Sequence, residues 1–87
     1  MHLIGFILLL MHEVIGLHKY QRLRDLREDR DLTQKQVADK LKTTQQQYSK
    51  YENGVQEIPV HHLITLAKFY EVTIDYIVGL SNHKKWK

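Results

Sequence analysis

The sequence contains no cysteine, and that one absence excludes disulfides, thiolate metal sites and cysteine nucleophiles together. It also fits a reducing interior, so a cytoplasmic protein is expected. There is no glycine-rich phosphate loop and no nucleophile–base pair, so neither enzyme activity nor a cofactor is expected. There is no internal repeat, low-complexity run or long linker, and the 87 residues read as one domain. A domain this small buries only about 60% of the surface its unfolded chain exposes, so its core is modest. Six histidines are present, yet they lack metal-site spacing. His61 and His62 are adjacent and cannot share a helix face, and His12 and His18 miss the i,i+4 spacing of a helical zinc pair. No metal is expected.

What is present divides in two. Residues 1–18 form an apolar extension in which Leu3, Ile4, Phe6, Ile7, Leu8, Leu9, Leu10 and Met11 are nearly unbroken. This run is short of the about 20 apolar residues that span a bilayer. It also lacks the positive start and small-residue cleavage site of a signal peptide. Three readings stay open: a translation start assigned too far upstream, a helix that buries its apolar sides in a homodimer or against the domain, and a membrane-surface anchor. From Lys19 onward the chain is polar with regular apolar spacing. The net charge of +3 suits an anionic partner without identifying one.

No segment after residue 18 alternates with the period of a strand for long, so the class is all-α. Tyr20 to Arg30 reads as a helix with Leu23 and Leu26 on one face and Arg22, Arg24, Asp25, Glu28 and Asp29 mostly on the other. A second helix covers residues 34–41. Thr33 is placed to cap it, Gln36 completes a capping box, and Val37, Ala38 and Leu41 form its apolar stripe. A third starts at Thr44 and is stopped by Gly54. Pro59 opens a fourth, with Leu63, Ile64, Leu66, Ala67 and Tyr70 as its stripe. A fifth, short helix follows Thr73 and ends near Gly79. Residues 82–87 form a basic tail, and the chain from Ser81 onward is expected to fray.

Helices two and three, joined by Lys42-Thr43-Thr44, follow the helix-turn-helix plan. The third helix has two faces. Tyr48 and Tyr51 point together toward the core, although Tyr48 has the alternative of touching a phosphate. Gln45, Gln46, Ser49, Lys50 and Asn53 recur on the opposite side. An amide that gives and takes one hydrogen bond matches the N6 and N7 edge of adenine, and Gln45 and Gln46 sit at the end that enters the major groove. Lys50 can reach a guanine edge or a phosphate. Helix starts near Gln34 offer backbone N–H groups to phosphate.

The ordered set Leu32-Thr33-Gln34-Lys35-Gln36-Val37-Ala38, then Thr43-Thr44-Gln45-Gln46-Gln47-Tyr48-Ser49-Lys50-Tyr51-Glu52-Asn53-Gly54, resembles the Cro/CI-type (XRE-like) regulators. The resemblance continues through Ile58-Pro59, Leu63-Ile64-Thr65-Leu66-Ala67 and Val72 to Gly79, and covers about residues 19–81. It implies a compact five-helix repressor-like helix-turn-helix domain behind the apolar N-terminal extension. It also implies a transcriptional repressor that binds double-stranded DNA as a homodimer, on a pseudo-palindromic operator with half-sites about 34 Å apart. By position, Gln45, Gln46 and Lys50 match base-reading places. Gln34, Thr44, Ser49 and Asn53 match phosphate-contacting places, and Arg27 and Glu52 match a buried ion pair. One departure is Lys42, where many members have glycine; in a left-handed backbone a lysine costs of order 1 kcal/mol. The alternatives are an antitoxin that binds a protein toxin as well as its own operator, and a membrane-tethered adaptor.

Overall fold

The computed structural model describes residues 20–84, so expectations about the apolar extension and the last three residues lie outside the described part. Within it the chain forms five helices: α1 (Gln21–Asp29), α2 (Gln34–Lys40), α3 (Gln45–Glu52), α4 (Val60–Tyr70) and α5 (Ile74–Val78). No strand occurs among the described residues.

Three helices start on a threonine. The Thr33 hydroxyl accepts the Gln36 N–H at 3.1 Å, and the Gln36 side chain accepts the Thr33 N–H at 2.8 Å, a complete capping box. Thr44 accepts from Gln47 N–H at 3.1 Å and Thr73 from Tyr76 N–H at 3.0 Å. Each hydroxyl satisfies an N–H that the first turn leaves without a partner. Pro59 precedes α4 with its φ already near the helical value.

All five helices stop in the same way. Asp31, Lys42, Gly54, Glu71 and Gly79 have φ between 56° and 87°, the left-handed region. The residue after each sends its N–H back five places: Leu32 to Arg27 O, Thr43 to Ala38 O, Val55 to Lys50 O, Val72 to Ala67 O and Leu80 to Asp75 O, at 2.8–3.0 Å. This closing motif satisfies carbonyls of the last turn and reverses the chain. Glycine takes up such a backbone without Cβ strain, but three of the five positions are not glycine.

The reversals fold the helices onto one core. Leu23 and Leu26 of α1, Val37 and Ala38 of α2, Tyr48 and Tyr51 of α3, Leu63, Leu66, Ala67 and Tyr70 of α4, and Ile77 of α5 are buried together with Leu41, Ile58 and Val72. On α4 the buried set follows i, i+3, i+4, i+7, which leaves Ile64 off the stripe. Contrary to the sequence expectation, Ile64 is 41% exposed.

Two further expectations are corrected. Arg22 does not join the solvent-facing charges of α1. Its guanidinium lies 4.2 Å from the Tyr76 ring centroid, donates to Tyr76 O at 2.8 Å and to Ser81 O, and reaches Asn82 Oδ1 at 2.6 Å. For the same reason the tail does not fray as far as Lys84: Arg22 holds Ser81 and Asn82, and Thr73 N–H donates to Lys84 O at 2.8 Å.

Candidate nucleic-acid interface

The α2–α3 joint is tight because Lys42 takes up the left-handed turn at φ 59° and Thr44 immediately caps the next helix. α3 is thereby held against α2 with one side buried and the other open.

The buried side is built around a carboxylate. Glu52 is 1% exposed, and Arg27 Nε and Nη2 donate to its two oxygens at 2.8 and 3.1 Å. Arg27 Nη1 also donates to Leu32 O at 2.9 Å, which ties the pair to the start of α2. Gln34 Nε2 donates to Glu52 Oε1 at 3.3 Å. Burial alone would raise the Glu52 pKa, but the hydrogen bonds from Arg27 and Gln34, the influence of the Tyr48 hydroxyl and the Arg27 charge outweigh it. The carboxyl titrates below its ordinary value. The same hydrogen bond, working against burial, raises Arg27.

Tyr48 is fully buried on this side, so it does not reach a phosphate. Its hydroxyl and that of Tyr70 meet no partner at hydrogen-bond geometry among the described residues. The Tyr48 phenol and the Glu52 carboxylate nonetheless influence one another's titration. Burial first, then the Glu52 charge, raises both phenols, Tyr70 to about 12.

The open side carries the amides. Gln45 and Gln46 are exposed, and neither side chain enters a hydrogen bond among the described residues. Gln47, by contrast, is turned away and donates to Gln56 Oε1 at 3.0 Å. Gln45, Gln46, Ser49 and Gln34 line one shallow depression of about 380 Å³. Asn53 Nδ2 donates to Ser49 Oγ at 3.1 Å, at the rim of this group. Lys50 is exposed but does not line the depression, and the Thr44 hydroxyl is engaged as the α3 cap. No acidic residue lies in the first turn of α3, so nothing there repels a polyanion. The arrangement presents adjacent amide donors and acceptors at the exposed start of a helix.

Arg24 also belongs to this neighbourhood. Its Nε lies 3.8 Å from Glu52 Oε1, although the sequence pattern places it among solvent-facing charges. The available signal was its spacing: Arg24 and Arg27 are three apart and share a helix face.

A helix-turn-helix family model matches residues 23–77, more than half of the chain. The chain belongs to the XRE-type helix-turn-helix family. Its similarity to individual family members is substantial. The uncharacterized HTH-type transcriptional regulator YobD of Bacillus subtilis (strain 168) is 40% identical over 62 residues, 71% of this chain and 55% of that protein. The uncharacterized HTH-type transcriptional regulator YqaE of the same organism is 37% identical over 65 residues, covering 74% and 56%. The cryptic phage CTXphi transcriptional repressor RstR of Vibrio cholerae is 40% identical over 58 residues, covering 67% and 52%. The chain spans about half the length of these curated relatives. No solved structure matches it. Among the described residues, no helix of this family member is long and apolar enough to cross a membrane.

Proposed function

We propose that this chain is a transcriptional repressor that reads double-stranded DNA by inserting the start of α3 into the major groove. The observation that carries the reading is the depression that gathers Gln45, Gln46, Gln34 and Ser49, with the first two amides exposed and unengaged. A glutamine presented this way can pair bidentately with adenine, whereas phosphate contacts from Gln34, Thr44, Ser49 and Asn53 set the register. Lys50, exposed on the same helix, serves a guanine edge or a phosphate. The repressor role is supported by similarity to a phage repressor.

The protein acts as a dimer on a pseudo-palindromic operator. Val60, Ile64 and Leu80 are exposed apolar side chains of the kind a second copy covers. The test is selection of purified protein on random duplexes, followed by sequencing. A two-fold symmetric motif with half-sites about 34 Å apart is expected. Enrichment of no motif at low salt and micromolar protein would overturn the reading and turn attention to a protein partner.

A further inference from the structure

All four arginines of the chain lie on or next to α1, and three of them hold the fold together. Arg22 ties the chain after α5 to α1. Arg27 pairs with Glu52 and Leu32 O. Arg30 donates to Phe69 O at 3.4 Å and Tyr70 O at 3.0 Å, closing the end of α4. Arg24 differs: it donates no hydrogen bond among the described residues, and its side chain is 40% exposed.

Its two ion pairs are loose. Arg24 Nε stands 3.8 Å from Glu28 Oε2 and 3.8 Å from Glu52 Oε1, both beyond hydrogen-bond distance. Glu28 is 58% exposed, and an exposed pair of this kind contributes little. Glu52 is already held by Arg27 and Gln34 through shorter contacts. The planar fork of Arg24, with its five N–H donors, is therefore uncommitted.

Its position gives that fork a use. Arg24 Nε and Gln34 Nε2 approach the same atom, Glu52 Oε1, at 3.8 and 3.3 Å, so the two nitrogens lie within about 7 Å of each other. Gln34 in turn lines the depression beside Gln45 and Gln46. We propose that Arg24 is a DNA-binding residue that, with Gln34, holds one backbone phosphate diester at the edge of the recognition surface. Glu52 is the positioning residue beneath both side chains, its own charge balanced by Arg27. A guanidinium suits this task because its fork matches two phosphate oxygens. The proposal rests on the DNA-binding reading above and adds a contact that carries no sequence information.

The test is binding of the full chain to a labelled mixed-sequence duplex across a potassium chloride series. Removing one phosphate interaction should reduce the slope of log K against log salt by about 0.9. Arg24→Gln is expected to reduce it by that much per protomer on any duplex sequence, with an unchanged melting temperature. Lys68→Gln, which removes the same charge from α4, is expected to leave the slope alone. An unchanged slope in Arg24→Gln, an equal reduction in Lys68→Gln, or a melting loss comparable to that of Arg27→Gln would each overturn the proposal. Failure of the wild-type protein to bind any duplex at low salt would instead remove the DNA-binding reading on which it stands.

Discussion

The two sides of α3 follow opposite rules. On one side Tyr48, Tyr51 and Glu52 are buried, and the only carboxylate of the helix is fixed by a two-pronged arginine. On the other, Gln45, Gln46 and Lys50 are exposed and the two amides are unengaged. One eight-residue helix therefore divides its duties by face. Side chains on the inner face set where the helix lies, and those on the outer face, under the proposed function, are the ones that recognise DNA. Substitutions on the first should register in melting, and on the second in binding.

The largest expected effect tests the inner face. Glu52→Ala leaves Arg27, in a mostly buried site, with only the exposed Glu28 carboxylate at 4.0 Å as a counter-charge, and deprives Gln34 of an acceptor. Breaking a buried pair in this way costs about 3–5 kcal/mol. For a domain of this size each kcal/mol shifts the melting temperature by about 4–8 °C. Gln46→Ala, on the outer face, should stay within about 0.5 kcal/mol of wild type. Equal melting temperatures for the two variants would break the comparison.

A smaller effect follows from the Glu52 titration. Its folded pKa lies below the ordinary value of 4.5, so the unfolded chain binds the proton more readily. The stabilisation is fully present above that ordinary value and is lost as pH falls through the lowered folded value. Urea denaturation across this acid range should show a steeper decline for wild type than for Glu52→Gln. Parallel curves would place the acid sensitivity elsewhere.

The smallest effect concerns the joint that aims α3. Lys42 occupies a left-handed position at φ 59°, where a side chain costs about 1 kcal/mol. Lys42→Gly should raise stability by at most that amount, reduced by the greater freedom glycine gives the unfolded chain. Destabilisation would show that the lysine side chain contributes an interaction of its own.

Much of this division was legible in the sequence because caps and periodicity are local signals. Thr33, Thr44 and Thr73 announced three helix starts, and Gly54 and Gly79 two of the stops. The stops at Asp31 and Glu71 gave no such sign: neither is glycine, and their left-handed backbones are held by bonds from Leu32 and Val72 that depend on the completed helices. The inward turn of Arg22 was equally hidden, because its partners Tyr76, Ser81 and Asn82 lie more than fifty residues away. Periodicity placed Ile64 on the α4 stripe, but the angle it subtends from Leu63, Leu66, Ala67 and Tyr70 leaves it at the edge. At the candidate site the pattern picked out the exposed amides. It did not reveal that Gln47 is drawn off to Gln56, or that Arg24 shares an oxygen with Gln34.

The central claim is that the outer face of α3 carries sequence recognition and little of the stability. The most direct measurement compares wild type with the Gln45→Ala/Gln46→Ala double variant on the selected operator, on an unrelated duplex and in thermal denaturation. Removing two bidentate pairs at about 1 kcal/mol or more each predicts at least about 30-fold weaker operator binding. Affinity for the unrelated duplex and the melting temperature should be unchanged. Operator affinity retained by the double variant, or weakened only in step with its stability, would contradict the account.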